Sequence, residues 1–174
     1  QFPMFYKNLN FKLNKEVKRN DIIMISDFSN NFFDQKALDK IVKSKKFTSA
    51  MIQKNSNNPS FFSLNHIKNY DLLCINEGEL RSELKDKNTN IDILAKNFLI
   101  DKKLKFIVIT KRIDGSILID HKLNQYSCPS FNSKPVDKIG AGDSMLSLVA
   151  LCLKNNFDKG LALLVGSLAA AQSV

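Results

Sequence analysis

Short apolar runs alternating with helical periodicity limit most strongly what this chain can fold into. Residues 22–25 (Ile-Ile-Met-Ile), 72–75 (Leu-Leu-Cys-Ile) and 106–109 (Phe-Ile-Val-Ile) are apolar at every position. A strand with one wet face alternates apolar and polar residues. A strand without alternation is buried on both faces, as in a parallel sheet covered by helices. Residues 48–53 read as a shorter strand, residues 117–120 as an antiparallel strand, and Tyr126 marks another. Between them lie helical patterns. Residues 35–44 turn Ala37, Leu38, Ile41 and Val42 inward, Leu80 and Leu84 mark a second helix, and Ile91, Leu94, Ala95, Phe98 and Leu99 a third. A short helix is also expected within 61–70. Strands alternating with helices argue for an α/β fold with a mainly parallel sheet flanked by helices. No linker or internal repeat divides the 174 residues, which suffice for one domain with a core, so residues 1–174 read as a single domain.

Residues 137–153 carry the strongest chemical signal. Gly140, Ala141 and Gly142 run directly into a helix whose apolar face is Met145, Leu146, Val149, Ala150 and Leu153. The first amides of a helix have no internal partner, and the helix dipole adds about half a positive charge there. Small residues let an anion approach those amides. Asp143 falls in the first turn. An anion cradle beside a carboxylate base suits phosphoryl transfer to a hydroxyl, because the amides stabilise the charged phosphoryl group while the carboxylate takes the alcohol proton. The plainer alternative is an Asp that only stabilises the helix start. A last helix, 158–173, is expected to bury Leu161, Leu164, Val165, Leu168 and Ala169. Gly160, Gly166 and the alanines at 169–171 suit close helix packing.

Polar residues follow the strands. Open α/β sheets bind ligands at the carboxyl ends of their strands, which makes Asp27 a candidate contact or, alternatively, a loop-capping residue. Asn76 and Glu79 lie at i and i+3 after the 72–75 strand. They can supply oxygens to Mg²⁺, or they can form a helix capping box. Thr110 and Gly115 flank a loop that equally reads as a turn with Asp-Gly chemistry.

The run Val-Asp-Lys-Ile-Gly-Ala-Gly-Asp-Ser at 136–144 resembles the Asp-Thr-Thr-Gly-Ala-Gly-Asp motif of the ribokinase-like (PfkB-type) carbohydrate kinases, with Lys138 and Ile139 in place of the threonines. Asn76-x-x-Glu79 matches that family's second motif. Residues 110–115 are similar to its Thr-x-Gly-x-x-Gly loop, with Arg112 where many members have the first Gly. The resemblance implies a three-layer fold and ATP-dependent phosphorylation of a sugar or sugar phosphate. It implies Asp143 as general base and the Gly140, Ala141 and Gly142 amides as the anion hole. Asn76 and Glu79 would organise Mg²⁺, Thr110, Gly115 and Asn76 would bind the nucleotide, and Asp27 and Asp137 would contact substrate. The resemblance also leaves room for a monovalent cation beside ATP and Mg²⁺. The resemblance spans residues 21–174, the C-terminal half of such enzymes. It implies a fragment without the N-terminal sugar-binding half and lid, one that associates with that half or with itself. The Ser-Asp-Phe at 26–28 and the Asn-Glu-Gly-Glu-Leu-Arg run at 76–81 look most like sugar-phosphate kinases, those for heptose phosphate among them. The substitutions at Ile139 and Arg112 leave an alternative open, a non-catalytic nucleotide-binding or interaction module.

The net charge of +9 raises a nucleic-acid partner, but the lysines are dispersed among Asn and Asp without a basic block. The expectation is no nucleic-acid partner and a surface that draws in anionic substrates. Cys74, Cys128 and Cys152 are odd in number and far apart, and fit reduced thiols. His66 and His121 lack metal-ligand spacing. No apolar run reaches the ~18 residues of a membrane span, and no signal peptide is seen. The expectation is a cytoplasmic protein without a membrane partner.

Overall fold

A computed structural model describes residues 13–29, 35–54, 62–131 and 140–173. A helix, α1, runs over residues 13–19. Then follow β1 (Ile22–Asp27), α2 (Gln35–Lys43), β2 (Phe47–Ile52), β3 (Leu72–Asn76), α3 (Glu77–Leu84), α4 (Ile91–Lys102), β4 (Phe106–Thr110), a 3-10 turn (Arg112–Asp114), β5 (Ser116–Asp120), β6 (Gln125–Cys128), α5 (Ala141–Lys154) and α6 (Lys159–Gln172). The six strands form one sheet in sequence order. β1 to β4 are parallel, and β5 and β6 run antiparallel at one edge. The mainly parallel α/β sandwich expected from the apolar runs is the observed fold.

Each strand sends alternate residues to opposite faces, which makes two cores. Ile25, Ala50, Ile52, Leu73, Ile75, Ile107 and Ile109 meet Leu38 and Ile41 of α2, Leu80 of α3 and the buried face of α4. Met51, Leu72, Cys74, Val108 and Leu118 meet Met145, Leu146, Val149 and Leu153 of α5 and Ala162 and Leu163 of α6. One acid pins the strand starts. Asp71 accepts the Thr48 N–H (2.7 Å) through Oδ2 and pairs with Lys105 through Oδ1. Cys74, Cys128 and Cys152 are free thiols, and burial pushes the Cys74 thiol well up in pKa. Among the described residues, no helix is long and apolar enough to cross a membrane.

Two local expectations are corrected. Residues 62–70 form no helix. Leu64, Ile67 and Tyr70 are buried at spacing three, but their segment bonds outward: Leu64 N–H donates to Glu83 Oε1 (3.0 Å) and Asn69 N–H to Lys102 O (2.8 Å). The helix marked by Leu80 and Leu84 forms as α3, which ends at Lys85, a left-handed cap with φ 52°. In α6 the buried face is Ala162, Leu163, Gly166 and Ser167, whereas Leu161, Leu164 and Leu168 are exposed. α6 is apolar nearly all round, so periodicity does not pick its inner face; close approach to α5 does. A Cβ on Gly166 would press on Val149 Cγ2 and lie 3.3 Å from the Met145 carbonyl. Replacing Gly166 with Leu should therefore cost about 1–3 kcal/mol by overpacking. Urea denaturation measures this, and unchanged stability would show that the two helices are free to separate.

Candidate functional site

The candidate site lies at the carboxyl ends of β1 to β4, where α5 begins. Gly140 is the N-cap of α5 with φ 88°, a backbone state that favours glycine, and no side chain caps the helix. Ser144 N–H donates to Gly140 O (3.0 Å) as the first bond of the helix ladder. The amides of Ala141, Gly142 and Asp143 thus have no partner within the helix. Gly142 sits directly on β2: a Cβ there would collide with Met51 Sδ. One residue on, Asp143 Oδ1 accepts a 2.7 Å hydrogen bond from Ser26 Oγ of β1.

Ser26 was not singled out by sequence reasoning, which chose Asp27. The two occupy opposite faces of β1. Ile23 and Ile25 belong to the α2–α4 core, so alternation sends Asp27 to that side and Ser26 to the α5 side. Asp27 Oδ1 accepts from Ser29 N–H (2.8 Å), and its Oδ2 lies 3.9 Å from His66 Nε2. Ser26 shares its face with Met24, and because residues 22–25 are all apolar the sequence does not mark which face of β1 meets α5. Asp137 lies outside the described residues.

β3 and β4 bring the second group together. Asn76 and Thr110 are register partners, and Thr110 pairs in turn with Ser116. Two residues past Cys74 and Val108 of the α5-side core, both fall on that same face. Asn76 caps α3: its Oδ1 accepts from Glu79 N–H (2.8 Å), and Glu79 Oε2 accepts from Asn76 N–H (3.4 Å). The capping box therefore forms. Glu79 also does more, because its Oε1 accepts from the backbone N–H of Lys54 beyond β2 (3.0 Å). That contact joins the ends of β2 and β3. Burial raises the Glu79 carboxyl above its usual range, opposed by the bonds from Lys54 and Asn76. These residues fit a hydrated Mg²⁺. Each oxygen keeps lone pairs beyond its present bond, and a half-buried carboxylate gains from a counter-charge. Among the described residues no group of three or more His, Cys, Asp or Glu could hold a metal, so such an ion would keep much of its water.

The loop after β4 is tight. Gly115 has φ 81°, and a Cβ there would run into the backbone of Cys128, Pro129 and Ser130. Lys111 N–H donates to Gly115 O (2.7 Å). Arg112 is exposed with φ 53°, a left-handed conformation at the position where the motif expects glycine. Asp143, Gly140, Ala141 and Gly142 thus sit over β1 and β2, and Asn76, Glu79, Thr110 and Gly115 continue over β3, β4 and the following loop.

Residues 3–174 match the model of the pfkB family of carbohydrate kinases, and the chain belongs to that family. Comparison with curated proteins gives no match. Among solved structures, ribokinase from Thermotoga maritima is 19% identical with a TM-score of 0.71, over 92% of this chain and 52% of that one. The tetrameric inhibited form of phosphofructokinase-2 from Escherichia coli is 18% identical with a TM-score of 0.75, over 94% and 56%. Ribokinase from Arabidopsis thaliana, complexed with ribose and ATP, is 15% identical with a TM-score of 0.73, over 92% and 51%. The chain spans about half the length of these proteins, and the likeness to them is one of fold.

The contact behind β1 has a pH consequence. Burial lowers the His66 pKa from 6.5, partly offset by Asp27 and Glu83. The folded state then binds this proton less readily than the unfolded chain, so stability is held above about pH 6.5 and lost as pH falls towards the lowered value. Thermal melts across that window should show a smaller acid-side loss for His66→Gln than for the parent. Parallel profiles would mean that His66 titrates as it does in the unfolded chain.

Proposed function

We propose that this chain carries the nucleotide-binding and catalytic-base portion of an ATP-dependent kinase that phosphorylates a hydroxyl of a sugar or sugar phosphate. The observation that carries the reading is the seating of α5, whose first amides have no partner within the helix, beside a carboxylate held by Ser26. Membership of the carbohydrate kinase family supports it.

In this reading Asp143 accepts the proton of the sugar hydroxyl as that oxygen attacks the γ-phosphorus of ATP, while the bond from that phosphorus to the β,γ-bridging oxygen breaks and ADP leaves. The amides of Ala141, Gly142 and Asp143 hold the phosphoryl oxygens as charge builds on them. Ser26 donates to one carboxylate oxygen and leaves the other for the hydroxyl. Thr110 and the Gly115 turn border the nucleotide, with Asn76 beside them, while Asp137 serves the substrate side. Asn76 and Glu79 would hold Mg²⁺, whose chemistry there is to neutralise charge on the β- and γ-phosphates. Such kinases can also use a monovalent cation.

Calorimetric titration of ATP with and without Mg²⁺, beside a turnover assay over sugars and sugar phosphates, tests the proposal. Asp143→Asn should leave ATP binding intact and lower turnover by about 10²–10⁴-fold, the usual worth of a general base. Glu79→Gln should weaken only the Mg²⁺-dependent part of binding. Undiminished turnover in Asp143→Asn would remove Asp143 from the role of base. Binding without turnover in the parent would favour the other reading, a non-catalytic nucleotide-binding module.

A further inference from the structure

The outer face of α3 carries a concentration of charge that this chemistry does not use. Gly78, Arg81, Ser82 and Lys85 recur at i, i+3, i+4 and i+7 and line an open pocket of about 630 Å³ together with Lys87 and Asn88. Arg81 is held in place: Nε donates to Glu77 Oε1 (2.8 Å) and Nη1 to Thr89 O (2.8 Å). Those bonds occupy two of its five N–H donors. Lys54 reaches the same wall, with Nζ donating to Ser82 Oγ (3.3 Å). Lys85 and Lys87 form no ion pair among the described residues.

The neighbouring acids are already engaged. Glu77 holds Arg81, and Asp86 accepts from the Asn88 and Thr89 N–H groups and from Thr89 Oγ1. The lining residues carry a guanidinium, two ammonium groups, a hydroxyl and an amide. Arg81, Lys85 and Lys87 outnumber the charges of Glu77 and Asp86, so the set stays net positive and rich in donors, which suits an anion bearing several oxygens.

We propose that this pocket binds a small phosphorylated anion through Arg81, Lys85 and Lys87, with Ser82 and Asn88 as neutral donors. The site is separate from the amides of α5 but linked to the other half of the candidate site. Lys54 touches Ser82 with its side chain and Glu79 with its backbone N–H, and so bridges the pocket wall and Glu79.

The proposal does not depend on kinase activity and is tested without it. Inorganic pyrophosphate is titrated into the ¹⁵N-labelled chain at low ionic strength while amide shifts are followed. The expected result is saturable shifts at Arg81, Ser82, Lys85, Lys87 and Asn88. The double substitution Lys85→Gln and Lys87→Gln should weaken binding about tenfold, since each exposed charge contact is worth a few-fold. Lys36→Gln with Lys40→Gln removes the same charge from exposed positions on α2 and should change binding little. Equal weakening in both variants would show attraction to net charge alone and overturn the site. Shifts confined to residues 141–143 would overturn it equally, by assigning the anion to α5.

Discussion

The arrangement of the molecule depends on how closely α5 meets the sheet. Gly142 makes that approach possible, because a side chain there would occupy the space of Met51 Sδ. With α5 seated on β2, its next residue reaches β1, and Asp143 finds Ser26 at 2.7 Å. The close contact thus places the start of the helix, with its first amides and Asp143, beside the carboxyl ends of β1 and β2.

The two faces of the sheet divide the work. On one face, α2, α3 and α4 cover large branched side chains and make the deeper core. On the other, α5 and α6 pack through small residues, with Gly166 against Val149, so that α5 stays pressed to the strands. Side-chain alternation then decides which polar residues meet α5. Ser26, Asn76 and Thr110 end their strands on that face, while Asp27 ends on the other beside His66. Glu79 joins the edges of the arrangement by bonding the backbone of both Lys54 and Asn76. Its carboxyl is raised by burial, so it carries charge at a cost that a bound cation would offset.

Much of the fold was legible because three of its strands carry unbroken apolar runs, at 22–25, 72–75 and 106–109, a pattern that suits a doubly covered sheet. The order of strand and helix followed. The inner face of α6 was not legible, since leucine, alanine and glycine leave no polar side to mark the outside. The segment 62–70 misled because its buried residues fall three apart while its hydrogen bonds go to α3 and α4. In the candidate site, the turn at Gly140, Ala141 and Gly142 could be read from its residues, because small residues before an apolar helix have a local meaning. The pairing of Asn76 with Thr110 could not, since strand register is set by contacts 34 positions away in sequence. Nor could the face of Ser26 be read, because residues 22–25 are apolar throughout and nothing in them marks which side of β1 meets α5.

The most direct test of the claim that the start of α5 is an anion cradle is the amide spectrum of this chain on titration with a non-hydrolysable ATP analogue and Mg²⁺. The account predicts the largest shifts at Ala141, Gly142 and Asp143, with smaller ones at Asn76 and Thr110. Nucleotide binding that leaves residues 141–143 unmoved would contradict it.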